Sequence, residues 1–167
     1  KSDPNAPEQI RKFNYEDPIL VYQELAEGLT DSLLSSPVVR EIVKERKPTV
    51  MIDRIKSTSV FHIDTERLDD IIRKKLLDSD VFHLYDPLTV MDYLRKETNS
   101  DLESADHSDL DHPTDIDFLI RGNVSSAEMG TRRNREIQYE MSLTLTNVTT
   151  EFIEWMDSKK TTKMSAK

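Results

Sequence analysis

The chain has no cysteine. That removes disulfides, a thiolate nucleophile and any zinc site built on sulfur. It does not fix the compartment, because a periplasmic domain without disulfides reads the same way. Glycine is almost as scarce, with three in 167 residues. Gly28, Gly122 and Gly130 cannot form a phosphate-cradling loop, and no G-x-G-x-x-G, Walker or G-x-S-x-G pattern occurs. No apolar run approaches the roughly 18 residues that a membrane-spanning helix needs. From Glu97 to Asp117 there is no lysine or arginine, against eight acids. The formal charge of −9 belongs to this one stretch, since the remainder carries 24 acids against 23 bases. A basic face is what nucleic acid or an anionic membrane requires, so neither is expected as a partner.

The length is about one domain's worth, enough for one sizeable core. Residues 1–13 are polar, hold two prolines and show no apolar period, which predicts a tether. The opening "KSDPNAPEQ" is not a start with Met, so a processed or trimmed product is expected. One domain is expected over residues 14–163, with a loop at 97–117 and a disordered tail at 164–167.

Three helix starts share one grammar: Asp17-Pro18, Ser36-Pro37 and Asp86-Pro87. In each, a capping side chain can accept an orphan N–H, and proline at the first helical position gives up no needed donor. The first helix carries Tyr22, Leu25, Leu29 and Leu33 at helical spacing, the second Val38, Val39, Ile42 and Val43, and the third Leu88, Met91 and Leu94. "TVMIDRI" (Thr49–Ile55) reads as a buried strand. A helix follows, capped by Asp64, stapled by Ile63 and Leu68, and striped by Leu68, Ile71, Ile72 and Leu76. "VFHLY" (Val81–Tyr85) closes a strand–helix–strand unit.

Beyond the acidic loop, "DIDFLIRGNVSSAEM" is a strand. "REIQYEMSLTLTNV" then puts Ile137, Tyr139, Met141, Leu143 and Leu145 on one face and Gln138, Glu140, Ser142, Thr144 and Thr146 on the other. Such a clean period of two marks an antiparallel sheet with one wet face. After a turn at "NVTT" the chain returns as "EFIEWMDSKK". The predicted class is α/β (mixed α+β): one mixed sheet with a βαβ unit and a C-terminal antiparallel meander, with helices packed on it.

No residue set assembles a catalytic centre. "DHSDLDHPTDID" places His107 and His112 among aspartates, a suitable metal chemistry by residue type, but the spacing matches no ligand frame and the stretch reads as a solvated loop. No metal and no cofactor is expected. His83 lies on the less buried face of its strand, and the Asp69-Asp70 pair reads as a solvated helix face. "NVS" and "NVT" match a glycosylation pattern too frequent by chance to use. "GTRRNRE" gathers Arg132, Arg133 and Arg135 at a hairpin tip. They form either a solvated turn or a protein-binding cluster, for which arginine's planar fork is well suited. Before the Asp64 cap, Lys56, Ser57, Thr58 and His62 lie in a loop that could touch a partner.

The order of parts is recognisable. "PTVMIDRIKSTSVFHIDTERLDDIIRKKLLDSDVFHLYDPLTVMDYLRKE" resembles the first half of the folded domain of the LpoB family. The resemblance resumes at "DIDFLIRGNVSS" and at "QYEMSLTLTNVTTEFIEWMDSKKTTK", whose hairpin carries Trp155, and the family's leading helix resembles "FNYEDPILVYQELAEGLTDSLLSS". The resemblance covers most of Phe13–Lys163. It implies a fold similar to the N-terminal domain of TolB. It also implies a periplasmic lipoprotein, anchored in the inner leaflet of the outer membrane, that stimulates a class A penicillin-binding protein without catalysis of its own. The lipid-bearing cysteine would lie upstream of this chain, and the anchor would be the only membrane contact. The tether departs from the long, proline-rich ones of the family: a dozen residues reach only about 40 Å fully extended. The acidic loop looks like an insertion. The alternative function is a periplasmic adaptor or transport-associated protein of the same fold, with no synthase contact.

Overall fold

Asp17 and Ser36 cap helices as their proline pairs predict. In the computed structural model, which describes residues 17–87 and 116–165, the Asp17 carboxylate accepts the Ile19 N–H at 3.2 Å and opens α1 (Pro18–Leu34). Ser36 Oγ accepts the Val39 N–H at 3.3 Å and opens α2 (Pro37–Glu45). Tyr22, Leu25, Leu29 and Leu33 of α1 are all buried. In α2 only Val39 is buried, with Ile42 and Val43 packed at the margin of the core. Asp86-Pro87 stands at the limit of the described residues. The helix expected over Leu88, Met91 and Leu94 lies outside them, as do the tether and nearly all of the acidic loop.

The βαβ unit consists of β1 (Thr49–Ser57), α3 (Thr65–Ser79) and β2 (His83–Tyr85). Asp64 occupies the N-cap position of α3, but its side chain makes no capping bond. The entry is fixed instead by apolar contact, since Ile63 and Leu68, the two staple positions, are both buried. Strand β2 is shorter than expected. Val81 and Phe82 precede it, and Phe82 drops into the core.

Three long strands complete the sheet: β3 (Phe118–Gly130), β4 (Arg135–Asn147) and β5 (Ile153–Ser165). The order is β2-β1-β3-β4-β5. Strand β1 pairs parallel with both β2 and β3, while β3, β4 and β5 run antiparallel. One mixed sheet with a C-terminal meander is therefore the observed fold. Strand β5 stays in register to Arg135↔Ser165, so Met164 and Ser165 belong to the strand and not to a disordered tail.

On β4 the alternation holds residue by residue. Ile137, Tyr139, Met141, Leu143 and Leu145 are buried, and the residues between them are half-buried. They share the core with Val50, Ile52 and Ile55 of β1 and Phe118, Ile120 and Val124 of β3, under α1 and α3. Helix α1 lies over β4 and β5, α3 over β1, and Lys75 of α3 bridges to Asp31 of α1 at 2.8 Å.

Candidate protein-contact surface

Strands β1 and β3 run parallel, so the loop after β1 and the hairpin after β3 stand at the same end of the sheet. They do not merge into one cluster. Ser57 is level with Val124, and the hairpin turns six residues further along β3, roughly 20 Å at a strand's rise.

The loop after Ser57 has a fixed shape. Thr58 donates its N–H to the Val124 carbonyl at 2.8 Å. Ser126 Oγ accepts the Val60 N–H at 3.1 Å and lies 3.0 Å from Ser59 Oγ. Ser59 Oγ in turn accepts the Phe61 N–H at 3.2 Å. Beneath these bonds Phe61 stacks on Tyr139 at 6.0 Å, and Tyr139 meets Tyr22 edge-on at 5.5 Å. The Tyr22 hydroxyl donates to the Ser125 carbonyl at 2.6 Å, and burial raises its pKa against the pull of the nearby Ser59 and Ser126 hydroxyls. With its backbone pinned, Val60 stands at the apex, 69% exposed. His62 is exposed beyond it.

The hairpin tip is equally well defined. Thr131 and Asn134 exchange backbone bonds of 3.2 Å in both directions. Gly130 adopts φ +100°, and a Cβ there would stand 2.0 Å from the Asn134 carbonyl oxygen, so the turn requires glycine. Arg132, Arg133 and Arg135 are exposed, and among the described residues none is within ion-pair distance of a carboxylate. Beside them, on the face of the sheet away from the helices, Met129 and Met164 flank Glu136 in register, 51% and 60% exposed.

Lys56 belongs to a different feature. The register of β1 on β3 slips between Ile52 and Ile55, which makes a bulge. Around it Asp53, Arg54, Lys56, Arg121 and Gly122 line a groove of about 490 Å³. Asp53 accepts the Arg121 Nε–H at 3.0 Å, and its carboxyl is held low chiefly by the Arg54 N–H, then by Arg121. Sequence reading passed over Arg54 and Arg121. A signal existed, because Val50 and Ile52 alternate and Ile55 then falls out of phase.

Asp69 corrects an expectation. It is not on a solvated helix face but half-buried against Arg73, 2.8 Å away, with Asp86 at 3.6 Å from the same guanidinium. Burial outweighs the guanidinium and holds the Asp69 carboxyl above its usual value. Among the described residues, Asp69 Oδ1 and Arg73 Nε find no hydrogen-bond partner. The nearby cleft also takes in Asp53, Thr65 and Glu66. Among the described residues no group of His, Asp or Glu side chains is arranged to hold a metal. His107 and His112 lie outside those residues.

A profile of the family described as "Peptidoglycan-synthase activator LpoB" matches residues 22–161. The chain belongs to the LpoB family. Its fold is similar to that of the LpoB C-terminal domain from Escherichia coli, with a TM-score of 0.52 at 11% identity over 84% of this chain and 97% of that one. The LpoB C-terminal domain from Salmonella enterica gives 0.49 at 11% identity over the same shares. Lipoprotein GNA1162 from Neisseria meningitidis gives 0.43 at 10% identity, over 71% of this chain and 84% of that one. No curated protein sequence matches the chain.

Proposed function

We propose that this domain binds and stimulates a class A penicillin-binding protein, acting as a non-catalytic regulator of cell-wall synthesis. The observation that carries the reading is membership of the LpoB family of peptidoglycan-synthase activators over residues 22–161. In this reading the domain works in the periplasm, held to the outer membrane by a lipid upstream of Lys1. Stimulation requires that it bind the active state of the synthase more tightly than the inactive one.

The contact surface in this reading is the end of the sheet that holds Ser57, Thr58 and His62 and the tip that holds Arg132, Arg133 and Arg135, with Lys56 at its margin. Two properties support it. The loop is pre-organised, which lowers the ordering cost of binding. Among the described residues the arginines have no carboxylate partner to release. The test is glycan-strand synthesis by the purified synthase with and without the domain, together with direct binding. Arg132→Glu with Arg133→Glu should abolish both while the melting temperature holds, because exposed turn residues tolerate substitution within about 0.5 kcal/mol. Unchanged binding by that variant moves the contact to Lys56–His62. A wild-type domain that binds no synthase of its own cell leaves the adaptor as the function.

A further inference from the structure

Strand β5 is unlike the other long strands. Among the described residues it forms one edge of the sheet and ladders with β4 alone, and none of its residues from Ile153 to Met164 is buried. Ile153, Met156 and Met164 are 61%, 66% and 60% exposed. A long edge whose outer N–H and C=O groups have no ladder partner is a template for another strand. Lysine on an edge ordinarily discourages such pairing. Here Lys159 and Lys160 stand next to Asp157, so the edge is complementary to itself.

We propose that β5 pairs with β5 of a second copy, antiparallel about a two-fold axis at Ser158. The register follows from faces and charges. Directly opposite residues share a face of the sheet, as Leu143↔Asp157 and Met141↔Lys159 do. A two-fold perpendicular to the sheet preserves faces, so paired residue numbers must add to an even number. Centring on Asp157 sets carboxylate against carboxylate, and centring on Lys159 or Lys160 sets ammonium against ammonium. Centring on Ser158 sets Asp157 of each copy against Lys159 of the other. Trp155 meets Thr161, and Met156 meets the stem of Lys160; the register shift of β5 at Glu154 ends the regular ladder there. Opposite charges directly across a sheet stabilise and like charges destabilise it. The helices allow this arrangement. Helix α1 packs about equally on β4 and β5, so its copy stands about two strand spacings away. That is roughly 10 Å, the ordinary separation of packed helices. The interface is isologous and closes at two copies.

The absence of cysteine makes the register directly measurable. In this pairing Ser158 faces itself with Cα atoms about 4.5–5.5 Å apart, inside the disulfide range of roughly 4.4–6.8 Å. Thr162 is equally exposed on the same strand, but its own copy lies eight positions away, roughly 26 Å. Sedimentation of the wild-type chain over a range of concentrations should show the mass doubling. Ser158→Cys should cross-link under mild oxidation well ahead of Thr162→Cys. Asp157→Lys or Lys159→Asp alone should reduce the species to monomer, and the double exchange should restore the dimer. The restored dimer also shows that the single variants did not simply unfold. A monomer at every concentration, or Thr162→Cys cross-linking as fast as Ser158→Cys, overturns the proposal. It does not depend on the proposed synthase contact, and a dimer that stimulates no synthase leaves it standing.

Discussion

Lys159 of β5 lies across Gly28 of α1, with its Cε 3.1 Å from where a Cβ on Gly28 would stand. The helix carries a glycine in its middle so that the lysine stem can pass. The obstacle is the far end of a flexible, exposed side chain. Gly28→Ala should therefore displace Lys159 and keep most of the helix gain, which is about 1 kcal/mol. Thermal melts should show a rise. A fall would mean that Lys159 is held in place, with Asp157 and Ser32, which meet beside it at 2.8 Å, as the natural restraint.

Leu143 and Thr144 are neighbours on β4 and face opposite ways. Leu143 has no exposed surface, whereas Thr144 is half-buried on the face without helices. Leu143→Ala should cost roughly 2–5 kcal/mol in denaturant unfolding. Thr144→Ala should cost under about 1 kcal/mol. Equal losses would contradict the orientation of the sheet.

What was legible in the sequence was local. The proline caps need only adjacent residues, and β4 declares its faces because one side is wet. The placement of β1 beside β3 was not legible, because it joins Val50 to Phe118 across a long separation. With it were hidden the common end for the two candidate loops and the groove of Arg54 and Arg121. Asp69 was misread for the same reason: a carboxylate's burial depends on what packs opposite, here β1 and Asp86. Ser126 looked like one serine among many until the loop after Ser57 was seen to close on it. The arginines were found at their tip by the turn residues around them, but nothing local says what they meet.

Ser126 is the residue on which the Val60 loop turns. Its hydroxyl is the only acceptor recorded for the Val60 N–H among the described residues, and it also meets Ser59. Ser126→Ala should cost about 1–2 kcal/mol for the two bonds lost. The informative measurement is amide exchange. Exchange at Val60 and Phe61 should accelerate while the Met141 and Leu143 amides of β4 keep their protection. Uniform acceleration would mean that the serine supports the whole fold and not the loop.

Two aspartates should pull the stability of the fold in opposite directions with pH. Asp53 is held below its ordinary 3.8, chiefly by the Arg54 N–H and then by Arg121. The native state therefore binds fewer protons there than the unfolded state. Its contribution is present above the ordinary value and is lost as the pH falls through the lowered one. Asp69 is held above 3.8 because burial outweighs Arg73. The native state binds more protons there, so the contribution is full below the ordinary value and is lost as the pH rises through the raised one. Asp53→Asn should flatten the acid limb of the stability curve. Asp69→Asn should remove a decline on the other side, so that its stability relative to wild type improves as the pH rises above the ordinary carboxylate value. Denaturant melts of the three proteins, carried from well below the ordinary carboxylate value to well above it, measure both slopes. An Asp69→Asn curve parallel to wild type above pH 4 would show that Arg73 and not burial governs this carboxylate.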